Sequence, residues 1–235
     1  MLGAASQAQE VSFGADIMNR YVWRGLDLSG NSPSIQPWAK FTLGNEHHTF
    51  DIGAWGAFST AGTINEETDL WMAYTYKKAL TLTLTDYFFP GLNTGARNQY
   101  FEFGKDSTGH VLEASLSFNG TEKIPFTLLF AMNLYGNDAR KADGEILMSK
   151  YVELGYLTKI GETDLKVFAG ASLDDPDENA GEAGFYLNQK PALINAGIKF
   201  SRSIAVTEKF SLPVQFALSV NPDMEKVYFT FGISL

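Results

Sequence analysis

The chain has 235 residues, 18 basic and 27 acidic, for a formal net charge of -9. Cysteine is absent, which excludes disulfides, thiolate metal sites and cysteine nucleophiles, and the acidic balance argues against a general nucleic-acid binder. Aromatics make up 14% and charged residues only 19%, too apolar a mixture for disorder. No 18-residue apolar run provides a transmembrane helix, but a membrane β-barrel stays open because only every second strand residue meets lipid.

Residues 1–9, MLGAASQAQ, are small, neutral and Ala-rich, with Ala8 placed as in a small-residue cleavage site. They read as the remnant of a secretory signal peptide or a disordered N-terminus. Residues 10–235 read as one domain. From Val11 onward apolar residues recur at every second position, the period of a strand with one greasy face. The first run is Val11, Phe13, Ala15 and Ile17, and the second is Ile35, Pro37, Ala39, Phe41 and Leu43. Further runs start near Phe50, Leu70, Leu80, Leu112, Phe126, Val152, Leu165, Ala192 and Phe210, and the last is Val227, Phe229, Phe231, Ile233 and Leu235. That makes twelve runs, most of nine to thirteen residues, with no helical periodicity between them. Soluble strands average about five or six residues, whereas membrane-barrel strands need about nine to eleven.

The connections alternate in length. Tight turns are expected at Gly44–Glu46, Lys77–Lys78, Asn119–Glu122, Lys159–Glu162 and Ala205–Thr207. Longer polar loops are expected at 24–33, 59–67, 88–109, 135–144 and 173–189, with only Asn221–Asp223 short where a long loop is due. Residues 98–103 read as the returning arm of an outer hairpin, not as a thirteenth strand. An even strand number with short turns at one end and long loops at the other is the plan of a bacterial outer-membrane barrel. The predicted fold is therefore an all-β, antiparallel, up-and-down transmembrane barrel of about twelve strands. Aromatics near strand ends (Tyr21, Phe41, Phe50, Phe58, Tyr76, Phe88, Tyr156, Phe200, Phe210) fit interface girdles. A soluble lipocalin-like barrel would reverse the faces, and period alone does not separate the two.

If the apolar stripes meet lipid, the opposite faces line the interior. The expected lining is Asp16, Arg20, Lys40, Asp51, Glu113, Glu153, Lys166 and Lys199, with Trp38, Trp55 and Trp71 as lumen aromatics that either fill a narrow barrel or stack on solutes. Charges of both signs either set ion selectivity or close the lumen through salt bridges.

The final run, VYFTFGISL, resembles the C-terminal assembly signal of outer-membrane barrels on Val227, Phe229, Phe231, Ile233 and Leu235, with Leu235 where Phe is usual. The stretch RYVWRGLDLSGNSPSIQP (Arg20 to Pro37), GAWG (Gly53 to Gly56) and the block Asn221 to Phe229 resemble the TorF-like family of outer-membrane porins. The resemblance spans effectively the whole chain. It implies an outer-membrane barrel with a pore role and no settled substrate.

His47 and His48 pair at an expected turn, where a solvated role outweighs metal binding. His110, near Ser115 and Ser117, is weighed against the lipid-facing triad of outer-membrane phospholipases, but the serines are expected to face inward. The acidic loop Asp174, Asp175, Asp177 and Glu178 offers hard oxygens for a divalent cation, although a soluble loop is the simpler reading. The expected function is passive diffusion of small polar solutes or ions through a narrow lumen in the outer membrane of a Gram-negative-type cell. The expected partners are outer-membrane lipid and the barrel-assembly machinery, with no enzyme activity, cofactor or metal. The alternatives are a closed barrel acting through its outer loops and an outer-membrane lipid-modifying enzyme.

Overall fold

The alternation closes on itself. In a computed structural model describing residues 8–61, 66–90 and 99–235, twelve long strands pair antiparallel in chain order, and the first pairs with the last. The strands are β1 (Ala8–Met18), β4 (Ser34–Gly44), β5 (His48–Ser59), β6 (Glu67–Tyr76), β7 (Leu80–Phe88), β8 (His110–Phe118), β9 (Phe126–Gly136), β10 (Lys150–Ile160), β11 (Thr163–Ser172), β12 (Ala192–Thr207), β13 (Phe210–Asn221) and β14 (Lys226–Ser234). A two-stranded hairpin, β2 (Val22–Trp23) and β3 (Leu26–Asp27), lies between β1 and β4 outside the barrel sheet. The only helical element among the described residues is a single 3-10 turn, Glu178–Ala180. Residues 1–7 of the expected N-terminal remnant lie outside the described residues, and its last two residues belong to β1.

The barrel is inside out relative to a soluble protein. The outward stripes stay exposed along their length, as at Leu82 (53%) on β7 and Leu154 (54%) on β10. Inward positions are polar or small, as in Thr81, Thr83 and Thr85 on β7 and Ser115 and Ser117 on β8. Burying a soluble core would demand the reverse pattern.

Closure is uneven. β1 pairs with β4 along its whole length, from Ala8↔Gly44 to Met18↔Ser34. Against β14 the ladder runs only from Asp16↔Ser234 to Met18↔Gly232, extended by reciprocal bonds between Ala15 and Leu235 of 2.9 and 3.1 Å. The turn expected at Ala205–Thr207 falls two residues later, since β12 runs to Thr207 and β13 starts at Phe210. The Lys77–Lys78 turn lies in a three-residue hairpin loop, Lys77–Ala79, with Lys77 and Lys78 both at positive φ. Residues 99–103 form turns rather than a strand.

Three inner-wall rings sit on glycines of a neighbouring strand. Trp38 lies against Gly14, Trp71 against Gly53 and Tyr151 against Gly170, each so close that a β-carbon on the glycine would collide with the ring. The Gly53 of the GAWG motif is thus the seat of Trp71.

Candidate functional site: a plugged lumen

Eight strands make a barrel just wide enough for its own side chains to fill. Twelve strands enclose more space, and here a loop enters it. Residues 24–28 of the 24–33 loop, expected to project outward, fold back into the lumen together with Tyr21, Val22 and Trp23, while Gly30, Asn31 and Pro33 stay exposed. This corrects the sequence expectation, and the reason is chemical: the segment carries Val22, Trp23, Leu26 and Leu28, apolar side chains that a solvated loop would leave in water.

The hairpin turns at Arg24 (φ 46) and Gly25 (φ 82), both in the left-handed region. Gly25 presses against the Ile194 carbonyl of β12 with no room for a β-carbon. The Asn221 amide of β13 donates to the Gly25 carbonyl at 3.1 Å. The base of the hairpin is tied by Leu28 N–H to the Tyr21 carbonyl (2.9 Å) and Tyr21 N–H to the Ser29 hydroxyl (2.8 Å). Asp27 accepts the backbone N–H groups of Ser29 and Asn31.

From this turn Arg24 spans the lumen. Its guanidinium makes two bonds to Glu113 on β8, at 2.5 and 2.8 Å, and a third to the Tyr186 hydroxyl at 2.7 Å. It sits 4.5 Å from the Trp23 ring centroid and 4.8 Å from that of Tyr151 on β10. The Arg24 and Glu113 side chains are 9% and 2% exposed, so this pair is desolvated, unlike a surface salt bridge. Other hairpin residues reach the rest of the wall. Tyr21 packs on Trp55 of β5 at 5.3 Å, Trp23 on Tyr87 of β7 at 5.5 Å, and Arg20 lies over Tyr228 of β14 at 5.9 Å.

A second segment closes in from the 173–191 loop. Tyr186 and Leu26 join Ala131, Tyr151 and Ile194 in a buried apolar cluster, with Trp23 and Phe185 against it. Burial pushes the Tyr186 phenol above its ordinary range, so it stays a neutral hydroxyl that accepts from Arg24. Asp174, near the start of this loop, accepts the Lys150 N–H at 2.7 Å, and burial raises its carboxyl pKa. Asp177 caps the 3-10 turn. Two members of the expected acidic cluster are therefore structural, while Asp175 and Glu178 remain exposed.

The expected lining divides under this geometry. Asp16, Lys40, Asp51, Glu113, Glu153, Lys166 and Lys199 project inward from wall strands, as do Trp38, Trp55 and Trp71. Arg20 belongs instead to the plug, between β1 and β2, and lies 3.4 Å from Asp27. Glu113 is committed to the latch. Asp51 accepts the Thr42 hydroxyl, Asp16 accepts that of Ser234 at 2.5 Å, and Lys166 donates to Glu153 at 2.7 Å. On the C-terminal strand Val227, Phe229, Phe231 and Leu235 are exposed outward, and Ile233 pairs with Ile17 at the seam. Two girdle expectations fail: Tyr21 is in the plug, and Phe88 is buried.

Three features escaped the sequence reading. One is the latch itself. Another is Glu67 (2% exposed), buried beneath Tyr21 on the inward face of β6 beside Asp69 (5%), which alternation with Trp71 places on that same face. Each keeps one oxygen without a partner. Burial first, then these carboxyls, hold the Tyr21 phenol well above its ordinary pKa. The third is His110, which faces outward beside Asp86 and Phe88 yet is buried, because residues 99–109 fold over it. Nδ1 bonds to Asp86 at 2.8 Å, Nε2 donates to the Tyr100 carbonyl at 2.7 Å, and Phe103 stacks on the ring at 4.4 Å. The nitrogen that would activate a serine in a triad is occupied by that carbonyl. His48 at the turn end bonds to the Tyr74 hydroxyl at 2.7 Å.

A solved outer membrane channel from Pseudomonas putida F1 is 13% identical, covering 100% of this chain and 95% of that chain at a TM-score of 0.43. The fold described above rests on the strand pairings. No curated protein matches the chain. Residues 3–190, with both the plug and its Glu113 anchor among them, match the family described as a bacterial protein of unknown function (Gcw_chp), and the chain belongs to that family.

Proposed function

We propose that the protein is an outer-membrane channel for small polar solutes or ions, held shut by the hairpin plug latched through Arg24 and Glu113. One observation carries this reading: an exposed apolar band wraps a closed sheet whose inner face is polar. Such a sheet is stable in a bilayer, where every backbone group must be paired internally, and an exposed apolar belt of this size is a liability in water. The short-turn end then faces the periplasm and the long-loop end the outside. The resemblance to TorF-like porins supports the same assignment. The latch gives the reading its particular form, since a barrel packed only for rigidity has no need of a buried charge pair spanning its bore.

Planar-bilayer recording of detergent-refolded protein tests this. The wild type is expected to be closed or to open rarely, and Arg24→Ala to give discrete steps. Correctly inserted, heat-modifiable barrels that stay silent in both forms would overturn the channel. They would favour a closed barrel working through its outer loops, the reading to which the plug itself also lends support.

A further inference from the structure

Under the base of the hairpin, Glu67 and Asp69 lie two residues apart on one face of β6, both buried. Glu67 Oε2 and Asp69 Oδ1 have no donor on them, and neither side chain forms an ion pair among the described residues. The elements packed around the two acids bring no base to them. The hairpin contributes Tyr21, which hydrogen-bonds to Glu67. β5 contributes Trp55 opposite Asp69 and Ala57 opposite Glu67. β7 contributes Tyr87 opposite Asp69, and from the outer face Asp86, a further negative charge acting on Asp69. Beyond Tyr87, Glu113 of β8 is taken by Arg24, and Arg20 of the hairpin lies by Asp27.

The two carboxyls are also within hydrogen-bonding reach of each other. An ionised carboxylate only accepts, so a bond between two of them needs a proton on one. Two adjoining carboxyls in a dry site do not both ionise without a counter-charge. The pair is therefore a unit that holds a proton between its members. Loss of that proton leaves two neighbouring negative charges, and burying unpaired charge is costly. Relief comes from water, and the group that covers the pair is Tyr21. This residue also closes the base of the hairpin, through Leu28 N–H on its carbonyl and its own N–H on Ser29, so a shift of Tyr21 is passed to the whole plug.

We infer that Glu67 and Asp69 form a proton switch on the plug: the hairpin stays seated while they share a proton, and losing that proton on alkalinisation displaces Tyr21 and loosens the hairpin. The inference rests on the channel reading and supplies its regulation. No other group on the hairpin competes with the pair between pH 6 and pH 9. Asp27 and Glu113 have arginine partners, and phenols ordinarily titrate at about 10. Of the three histidines, His47 and His48 lie at the short-turn end and His110 faces outward under residues 99–109.

Limited proteolysis of the refolded protein in EDTA tests it, scoring proteinase K cleavage within residues 19–33 at pH 6 and pH 9. The reference is the double variant Glu67→Gln with Asp69→Asn, measured at the same pH, which cancels the protease's own pH response. The wild-type rate relative to this reference is expected to rise at least tenfold from pH 6 to pH 9. A ratio that stays constant or falls would overturn the switch. So would a wild type that is loose at pH 6 in EDTA and seated by added calcium, since a cation and not a proton would then neutralise the pair. If the double variant does not fold, Glu67→Gln alone serves: with one acid left no second charge forms, and its pH response is expected to be at least threefold smaller than that of the wild type. An equal response would refute the inference. The readout is cleavage, so it is separate from conductance. A pH-sensitive hairpin in a barrel silent at both pH values sinks the channel and keeps the switch, and a pH-insensitive hairpin in a conducting barrel does the opposite.

Discussion

Arg24→Ala is the perturbation on which the plugged-channel reading turns. Truncation removes two bonds to Glu113, one to Tyr186 and the packing of the guanidinium between the Trp23 and Tyr151 rings. It also leaves the Glu113 carboxylate buried with only the Tyr87 hydroxyl at 3.2 Å as partner. Breaking a desolvated ion pair from one side costs about 3–5 kcal/mol. At ~1.4 kcal/mol per factor of ten, the docked-to-undocked ratio of the hairpin falls by roughly two to three and a half powers of ten. The backbone ladders are untouched, so the barrel should still fold and run as a heat-modifiable band. Open probability in planar bilayers should rise by a comparable factor. Because the cost arises from stranding one charge, Arg24→Ala with Glu113→Ala should be less disruptive than the two single effects summed. If the double variant is as open as that sum predicts, the two residues act independently and the latch is wrong. If Arg24→Ala leaves both open probability and protease sensitivity of the hairpin unchanged, the plug is held by something else.

Three further outcomes are expected. Gly25→Val puts a branched side chain at φ 82 and drives it into the Ile194 carbonyl, so it should undock the hairpin at a cost of at least about 1–3 kcal/mol, read as faster proteolysis between residues 19 and 33. Glu67→Gln replaces one carboxyl of a buried acid pair that forms no ion pair among the described residues and leaves an oxygen of each member without a partner. It should leave the urea midpoint unchanged or raise it, and a clear fall would mean the Glu67 charge is required. Asp174 has a pKa raised mainly by burial. Its folded form therefore favours the proton, and its contribution is full below the unfolded carboxyl pKa and lost as pH rises through the folded one. Asp174→Asn should be at least as stable as wild type at pH 7, with the gap closing toward pH 4. A gap that widens on acidification would show that the Asp174 charge is stabilising.

The strands were legible because their signal is long and regular. Twelve runs of period 2 give the number of strands and which face of each is greasy, and the observed strand order follows them. The last tight turn was placed two residues early because the alternation through Ser203, Ile204, Ala205 and Val206 continues into the paired strand. The inward wall positions were legible for the same reason. The plug was not. Periodicity says nothing about a 15-residue segment that crosses from one strand to the next, and the polar Ser-Gly-Asn-Ser stretch at its end reads as an exposed loop. The usable sign was composition: a tryptophan, a valine and two leucines beside an Arg-Gly pair are poorly suited to solvent. The burial of His110 was not legible for a related reason, since its partners Asp86 and Tyr100 come from elements whose proximity no local pattern encodes.

The seating of wall rings on glycines has a bearing on calibre. Trp71 lies against Gly53 where a β-carbon would sit, whereas at Gly14 a β-carbon would also meet the Leu235 carbonyl at the barrel seam. A methyl group at Gly53 would push the Trp71 indole away from the sheet and toward the axis, thickening the wall locally while strand number and stagger stay fixed. Single Gly-to-Ala exchanges would therefore narrow the free cross-section without any change of architecture, and relatives of this chain could differ in the size of solute they admit through such hydrogen-for-methyl replacements alone.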